Sequence, residues 1–585
     1  MNQFKPPPSS QIDSKDGRLG LRLSVPTSVP HHISPLSPIS FLLRAALISP
    51  NKFAIIHPEK GIRFTYLEWA ARCLSLTFAI KSTSNWKKGD RVAIIAPNTP
   101  MILESYYGVL AAGGIVTPLN IRNNEREIAY VLEHSGATVI LVDEEFAHLV
   151  PKQLPSNVTL IISKDTGGKN GIESDQYEAF LQKGKEEWHK TEKQEIDRWG
   201  EKAKRGWELI EVTKDENDPC CLCYTSGTTG RPKGVLTTHR GSYLAACANA
   251  FEFQLTSDSV YLWVLPAFHA AGWTFPWAVT AAIGTHYIIR KVDNDLIWDA
   301  LRNHGVTHYC AAPTVNIGLV NHSKAKRLTQ TVRVAVAASA PTAELLQSLE
   351  NLNVTPIHCY GQTENYGPFV KRYMEPSWSK LSVQERAQLI ARQGHGFLVS
   401  DEVRVIRSND NSNTKDERDF IDVRRDGQEV GEIIMRGNLA MLEYYNDKGA
   451  TSKTIKHGWL HTGDLAVRHP GGEIHIRDRQ KDIIISGGEN ISSLAVEDEI
   501  ASHEAVLEGC VVARPHEKWG EVGHAFIVLK QGKKLTEEEL RQYCRSRMSK
   551  FAVPAFIEFV DALPKTSTGK VQKNVLREKL RKAKL

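Results

Sequence analysis

A chain of 585 residues is too long for one hydrophobic core, and 41% hydrophobic with 24% charged residues is the balance of a globular protein rather than a fibrous or low-complexity one. A net charge of +6 is too small a surplus to argue for nucleic acid as a partner. Nine cysteines, scattered from Cys73 to Cys544, argue against a disulfide framework and for a reducing compartment.

The first 34 residues are rich in Pro and Ser and show neither an apolar signal core nor helical periodicity. Asp13 and Asp16 also weaken a transit-peptide reading, so a disordered tail is expected. Between Phe64 and Val142 a helically spaced segment, "TYLEWAARCLSLTFAI", alternates with short apolar runs, "RVAIIAP" and "TVILVDE", that end in turn signals. That alternation predicts an α/β fold: a parallel sheet flanked by helices, with ligands at the carboxyl ends of the strands. Residues 164–218 shift to charge and read as a solvated insertion, as do 371–392 and 408–427. Cys220, Cys221 and Cys223 read as buried thiols in a strand, because no second pair follows at zinc-site spacing.

Residues 260–289 contain no Lys, Arg, Asp or Glu, a length that could span a bilayer. Two prolines, two glycines and a central His269 favour instead a buried strand, a loop and a helix entering the core. After Gln480 the sequence becomes compact again, with strands at "LEGCVVARP" and "HAFIVLK" and a helix at "TEEELRQYCRSRM". The expected architecture is a large domain over residues 35–480 and a small mobile α+β lid over 481–585.

The run Thr225, Ser226, Gly227, Thr228, Thr229, Gly230, followed by Lys233, suits no core and no regular helix. Glycines allow close backbone approach, hydroxyls and N–H groups donate, and the lysine adds positive charge, so the stretch can encircle phosphate oxygens. It is not a P-loop: five positions after Gly227 stands Pro232, and G-x-x-x-x-G-K fails.

The full string "YTSGTTGRPKG" resembles the signature of the adenylate-forming superfamily, which includes acyl-CoA synthetases, peptide-synthetase adenylation domains and luciferases. Further motifs of that family recur in order over roughly residues 35–575. In "HCYGQTENYGP" the resemblance implies that Tyr360 stacks on adenine, Gly361 belongs to the nucleotide site, Thr363 bonds phosphate, and Glu364 with Thr225 holds Mg²⁺ through hard oxygens. "AASAP" is similar to the turn lining the adenine and acyl sites, with Ala338 and Ser339 where glycines are common. In "GWLHTGD" the implied ribose ligand is Asp464; in "RDRQKD" Arg479 meets ribose or phosphate and Lys481 is the hinge. A lysine in a basic tail is by default a solvated charge. Within "TSTGK", Lys570 takes the place of the family's catalytic lysine.

The implied chemistry is attack of a carboxylate on the α-phosphate of ATP, then attack of a thiol on the acyl-adenylate. Mg²⁺, Lys570 and the threonine cradle stabilise charge in the first step. Lid rotation then brings Gly487 and Gly488 of "SGGEN" to line a coenzyme A tunnel. "LPAFHAAGWTFPWAV" resembles the branch that activates short- and medium-chain fatty acids and aromatic acids of the benzoate and cinnamate kind, and "THYCAAPTV" and "EPSWSKLSVQERAQLIARQG" support that placement. His269, Gly272 and Trp273 then belong to the acyl pocket, with Trp273 as its gate.

The main expectation is an ATP-dependent acid–CoA ligase acting on a small carboxylic acid. A carrier-loading enzyme is the nearest rival, but no carrier domain occupies the fifteen residues after Lys570. A luciferase-like oxygenase would show itself by light emission and loss of CoA dependence, and motif completeness argues against a non-catalytic relative. The terminal Ala583-Lys584-Leu585 differs by one small residue from the peroxisomal Ser-Lys-Leu address, so binding to the peroxisomal import receptor is expected, with a cytoplasmic location as the alternative.

Overall fold

The computed structural model describes residues 4–12, 19–169, 171–225, 231–337, 341–407, 416–479, 481–486, 489–566 and 569–582. The predicted α/β architecture is present. One sheet runs Glu443–Tyr444, Lys233–Thr238, Pro219–Thr225, Ile115–Pro118, Arg91–Ile95, Val139–Asp143, Thr159–Ser163, and its last five strands are parallel. A second, nine-stranded sheet has a parallel centre from Val354–Gln362 through Val332–Val336, His308–Ala311, Val260–Trp263 and Thr285–Ile288 to Phe53–His57. Its central strands Val260–Trp263, Thr285–Ile288 and His308–Ala311 are buried on both faces, as in parallel sheets covered by helices.

A third sheet is antiparallel and pairs Ser400–Ile406, Gly431–Gly437, Trp459–Arg468 and Ile474–Arg479. A fourth, small sheet runs from Ile484–Ser486 to Phe556–Phe559 and carries the helices Ser493–Ala501, Glu537–Arg547 and Lys573–Lys582. Helix Glu537–Arg547 starts where the sequence places it, because Thr536 and Glu539 form a reciprocal cap.

Residues 260–289 fold as expected into strand Val260–Trp263, a 3₁₀ turn at His269–Thr274, helix Phe275–Ala281 and strand Thr285–Ile288. Among the described residues no helix is long and apolar enough to cross a membrane. Cys220, Cys221 and Cys223 are buried in strand Pro219–Thr225, where burial pushes the Cys220 thiol up to about 12.

Three expectations are corrected. The charged stretch 164–218 is not simply solvated: its helix Gln176–Trp199 lays Tyr177, Leu181, Gly184 and Trp188 against helix Tyr66–Lys81. Those positions recur at three and four, a helical stripe hidden within the charge. Gly184 is needed there, because a Cβ would stand 1.9 Å from the Ser75 carbonyl. The same face brings Glu178 to Arg72, whose guanidinium also pairs with Glu104, at 2.8 and 2.6 Å.

The N-terminal 34 residues are likewise no free tail where they are described. Ser9 and Ser10 are buried, the Ser9 hydroxyl accepts from Arg72, and Lys185 Nζ donates to the carbonyls of Pro8 and Gln11. The physical reason is the buried Arg72 cluster, which a short polar segment covers and helps to satisfy. Residues 371–392 also build structure: Trp378, Ala387 and Ile390 pack with Leu346.

Candidate active site

A cavity of ≈ 2130 Å³ opens between the parallel sheets, the antiparallel sheet and the small C-terminal sheet. Thr225, Lys233, His269, Trp273, Tyr360, Gly361, Thr363, Glu364, Asp464, Arg479, Lys481 and Lys570 all line it. Segments hundreds of residues apart thus converge on one space. Gly272 does not reach the wall; it stands behind it in the turn that carries Trp273. Ser226, Gly227, Thr228, Thr229, Gly230, Ala338, Gly487, Gly488 and the terminal Ala583, Lys584 and Leu585 lie outside the described residues.

Thr225 ends one strand and Lys233 begins the next, and the two are paired across the hairpin. Lys233 Nζ lies 4.8 Å from the centre of the Tyr444 ring, while Tyr444 Oη donates to Glu364 Oε1 at 2.7 Å. One aromatic residue therefore positions both the cation and the carboxylate of this end of the cavity. Among the described residues Tyr444 is the side chain that bonds the Glu364 carboxylate, which with the Thr225 hydroxyl offers the hard oxygen donors that suit Mg²⁺.

Tyr360 lies at the end of strand Val354–Gln362 with its hydroxyl committed: it donates to Asp464 Oδ2 at 2.7 Å, where Gln362 Nε2 donates too, at 2.8 Å. Arg479 is the antiparallel partner of Asp464 and approaches its other oxygen at 3.2 Å. Gly361 has no room for a side chain, since a Cβ would meet the Gly367 carbonyl at 1.7 Å.

Lys570 follows Gly569, at φ +79°, on a turn closed by Thr566 N–H to the Lys570 carbonyl at 2.7 Å. The large domain grips that turn: Thr314 Oγ1 donates to the Gly569 carbonyl at 3.1 Å and Arg122 Nη1 to the Thr566 carbonyl at 3.2 Å. Burial, then the Arg479 charge, pulls the Lys570 ammonium down to about 7 against the opposing pull of Asp464 and Asp482. Burial, and then the nearby Lys570, lowers His269 to about 4, so its ring is neutral at physiological pH. Lys481 is lowered too, by burial first and Arg479 next. Lys570, Asp464 and His269 are therefore electrically coupled.

Sequence reasoning missed Tyr444, Gln362, Arg122 and Thr314. Their partners lie far along the chain, and except for Gln362, which stands inside the quoted "HCYGQTENYGP", no local motif marks them.

The AMP-binding enzyme family model matches residues 42–445, and the model of the AMP-binding enzyme C-terminal domain matches residues 495–570. The chain belongs to that family. It is 38% identical over 562 residues to the 2-methylpropanoate–CoA ligase of Humulus lupulus, covering 94% of this chain and 96% of the relative. It is 36% identical over 565 residues to the peroxisomal trans-cinnamate:CoA ligase of Petunia hybrida, covering 93% and 94%. Among solved structures, an anthranilate CoA ligase in complex with anthranoyl-AMP shares the fold with a TM-score of 0.76 at 21% identity, over 95% of this chain and 99% of that one.

Proposed function

We propose that the protein is an ATP-dependent acid–CoA ligase that forms an acyl-adenylate and then an acyl-CoA thioester, with a short- or medium-chain carboxylic acid as substrate. The observation that carries this reading is Lys570, held by Thr314 and Arg122 in one cavity with Asp464 and Arg479. Relatives named as acetate, butyrate and 2-methylpropanoate CoA ligases support the acid class.

In the first step a carboxylate oxygen bonds to the α-phosphorus of ATP and the bond to the bridging oxygen breaks, releasing pyrophosphate. Lys570 places an ammonium where negative charge builds on the phosphate, a preorganised electrostatic contribution. Asp464 receives the ribose hydroxyls and Arg479 the neighbouring phosphate, while Lys233 and the 225–230 run hold the departing end. Glu364 and Thr225 would hold Mg²⁺, which neutralises phosphate charge. In the second step the CoA sulfur bonds to the acyl carbon, AMP leaves, and the thiol proton passes to solvent. For this step we assign Lys481, between the Arg479 strand and the lid sheet, as the hinge about which the lid turns.

His269 and Trp273 wall the acyl end, next to Lys570. The peroxisomal Petunia hybrida relative and the Ala583-Lys584-Leu585 ending support import into peroxisomes. The test is a panel of straight, branched and aromatic acids assayed for pyrophosphate release and for thioester formation with CoA. Acid-dependent release of pyrophosphate followed by acyl-CoA, strongest with short or medium chains, is expected. A maximum with cinnamate-type acids would move the substrate class, and light emission or indifference to CoA would refute the ligase reading.

A further inference from the structure

The turn that carries Trp273 has an unusual backbone. Gly272, Trp273 and Thr274 stand consecutively at φ +56°, +52° and +61°, a left-handed run that is strained for a Trp and a β-branched Thr. Such a run persists only where its surroundings over-determine it. Two features do so. Gly367, on the strand after the Glu364 segment, lets the Trp273 side chain close in, since a Cβ on Gly367 would stand 3.0 Å from Trp273 Cβ and Cγ. From the other side, Asn249 Nδ2 donates to the Trp273 carbonyl and bonds Thr274 Oγ1, both at 2.7 Å.

Asn249 is buried in helix His239–Glu252, which follows directly on strand Lys233–Thr238 and so on the hairpin of the phosphate end. A buried asparagine is retained only where its amide has partners it alone can serve. Here the amide N–H₂ spans two adjacent residues of the strained turn, which fixes the carbonyl direction of Trp273 and with it the place of the indole on the cavity wall. No other residue type of that size offers two donors from one nitrogen.

We propose that Asn249 is a positioning residue for acid selection: it holds Trp273 in its left-handed conformation, and so sets the depth of the acyl pocket without touching the substrate. This rests on the reading that Trp273 walls the acyl pocket. A polar clamp on a backbone carbonyl is suited to the task because a wall set by packing alone could relax toward the ordinary right-handed region.

The experiment compares Asn249→Ala, Trp273→Ala and the double variant by kcat/KM for acetate, butyrate, hexanoate and octanoate, with the KM for ATP and the melting temperature measured beside them. Asn249→Leu, which keeps the volume and removes the donors, serves where the alanine variant does not fold. Expected is an octanoate-to-butyrate selectivity change of about tenfold in the Asn249 variant, on the scale of one or two methylenes in an apolar pocket, with the KM for ATP unmoved. In the Trp273→Ala background the Asn249 change should leave selectivity as it is, because the clamp then has nothing to hold. If Trp273→Ala shifts the acid profile and the Asn249 variants do not, the clamp is refuted and the pocket reading stands. An Asn249 variant that lowers kcat/KM equally for every acid refutes it as well. An unchanged profile in Trp273→Ala overturns the pocket reading, and the clamp falls with it.

Discussion

Two clusters of charge, a fully buried one around Arg72 and a partly exposed one around Lys570, are built on opposite rules. Around Arg72 every hydrogen-bonding direction is used: Glu104 and Glu178 take the guanidinium, Tyr177 Oη donates to Glu104 at 2.6 Å, and Ser9 closes the set. Around Lys570 three cations, Arg479, Lys481 and Lys570 itself, face two carboxylates, Asp464 and Asp482, and the lysine loses basicity instead of gaining a fixed partner. The first cluster is satisfied by the protein. The second is satisfied only when negative charge arrives, which is what a polyphosphate substrate brings.

Breaking the first cluster should therefore cost stability, and breaking the second should cost chemistry. The largest effect belongs to Arg72→Met, which strands two buried carboxylates and should destabilise the fold by about 3–5 kcal/mol, read by denaturant unfolding, with turnover per folded molecule retained. Loss of turnover at unchanged stability would erase the distinction. Next, Asp464→Asn keeps the shape but removes the charge that Tyr360, Gln362 and Arg479 surround. The KM for ATP should rise about tenfold, the worth of a hydrogen bond to a charged group. Asp464 also supports the Lys570 proton, so the alkaline limb of kcat/KM, which in the parent should fall as pH rises through about 7, should move to lower pH in this variant.

The smallest effect is thermal. Lys570 is at about 7 in the fold against an ordinary 10.5, so the unfolded chain binds the extra proton between those values. Its burial therefore opposes folding most at and below about pH 7, and the opposition fades as pH rises toward about 10. Lys570→Met should raise the melting temperature near pH 7 and do so less near pH 10. A drop at both would mean that the lysine is a structural partner like Arg72.

The difference between the clusters also explains what could be read in advance. Asp464, Arg479, Glu364 and Lys570 stand in short motifs that resemble those of the adenylate-forming superfamily, so the resemblance singles them out and the structure gathers them around one cavity. Arg72, Glu104 and Glu178 are joined across 32 and 106 residues by helix packing alone, and in the sequence they are ordinary surface charges. The helix Gln176–Trp199 was hidden for the same reason, its apolar stripe diluted by a charged face. Asn249 escaped because its partners, the Trp273 carbonyl and the Thr274 hydroxyl, are defined by a backbone conformation that no composition signals.

If the lid turns about Lys481 as proposed, Lys570 serves adenylation and is carried out of the site before the thiol attacks. The direct measurement assays Lys570→Ala in two separate half-reactions: pyrophosphate release from acid and ATP, and acyl-CoA formation from supplied acyl-adenylate and CoA. The account predicts a loss of roughly 10²-fold or more in the first, the scale of removing one preorganised electrostatic donor, and near-parent rates in the second. Equal loss in both, in a variant whose melting curve shows it folded, would contradict it.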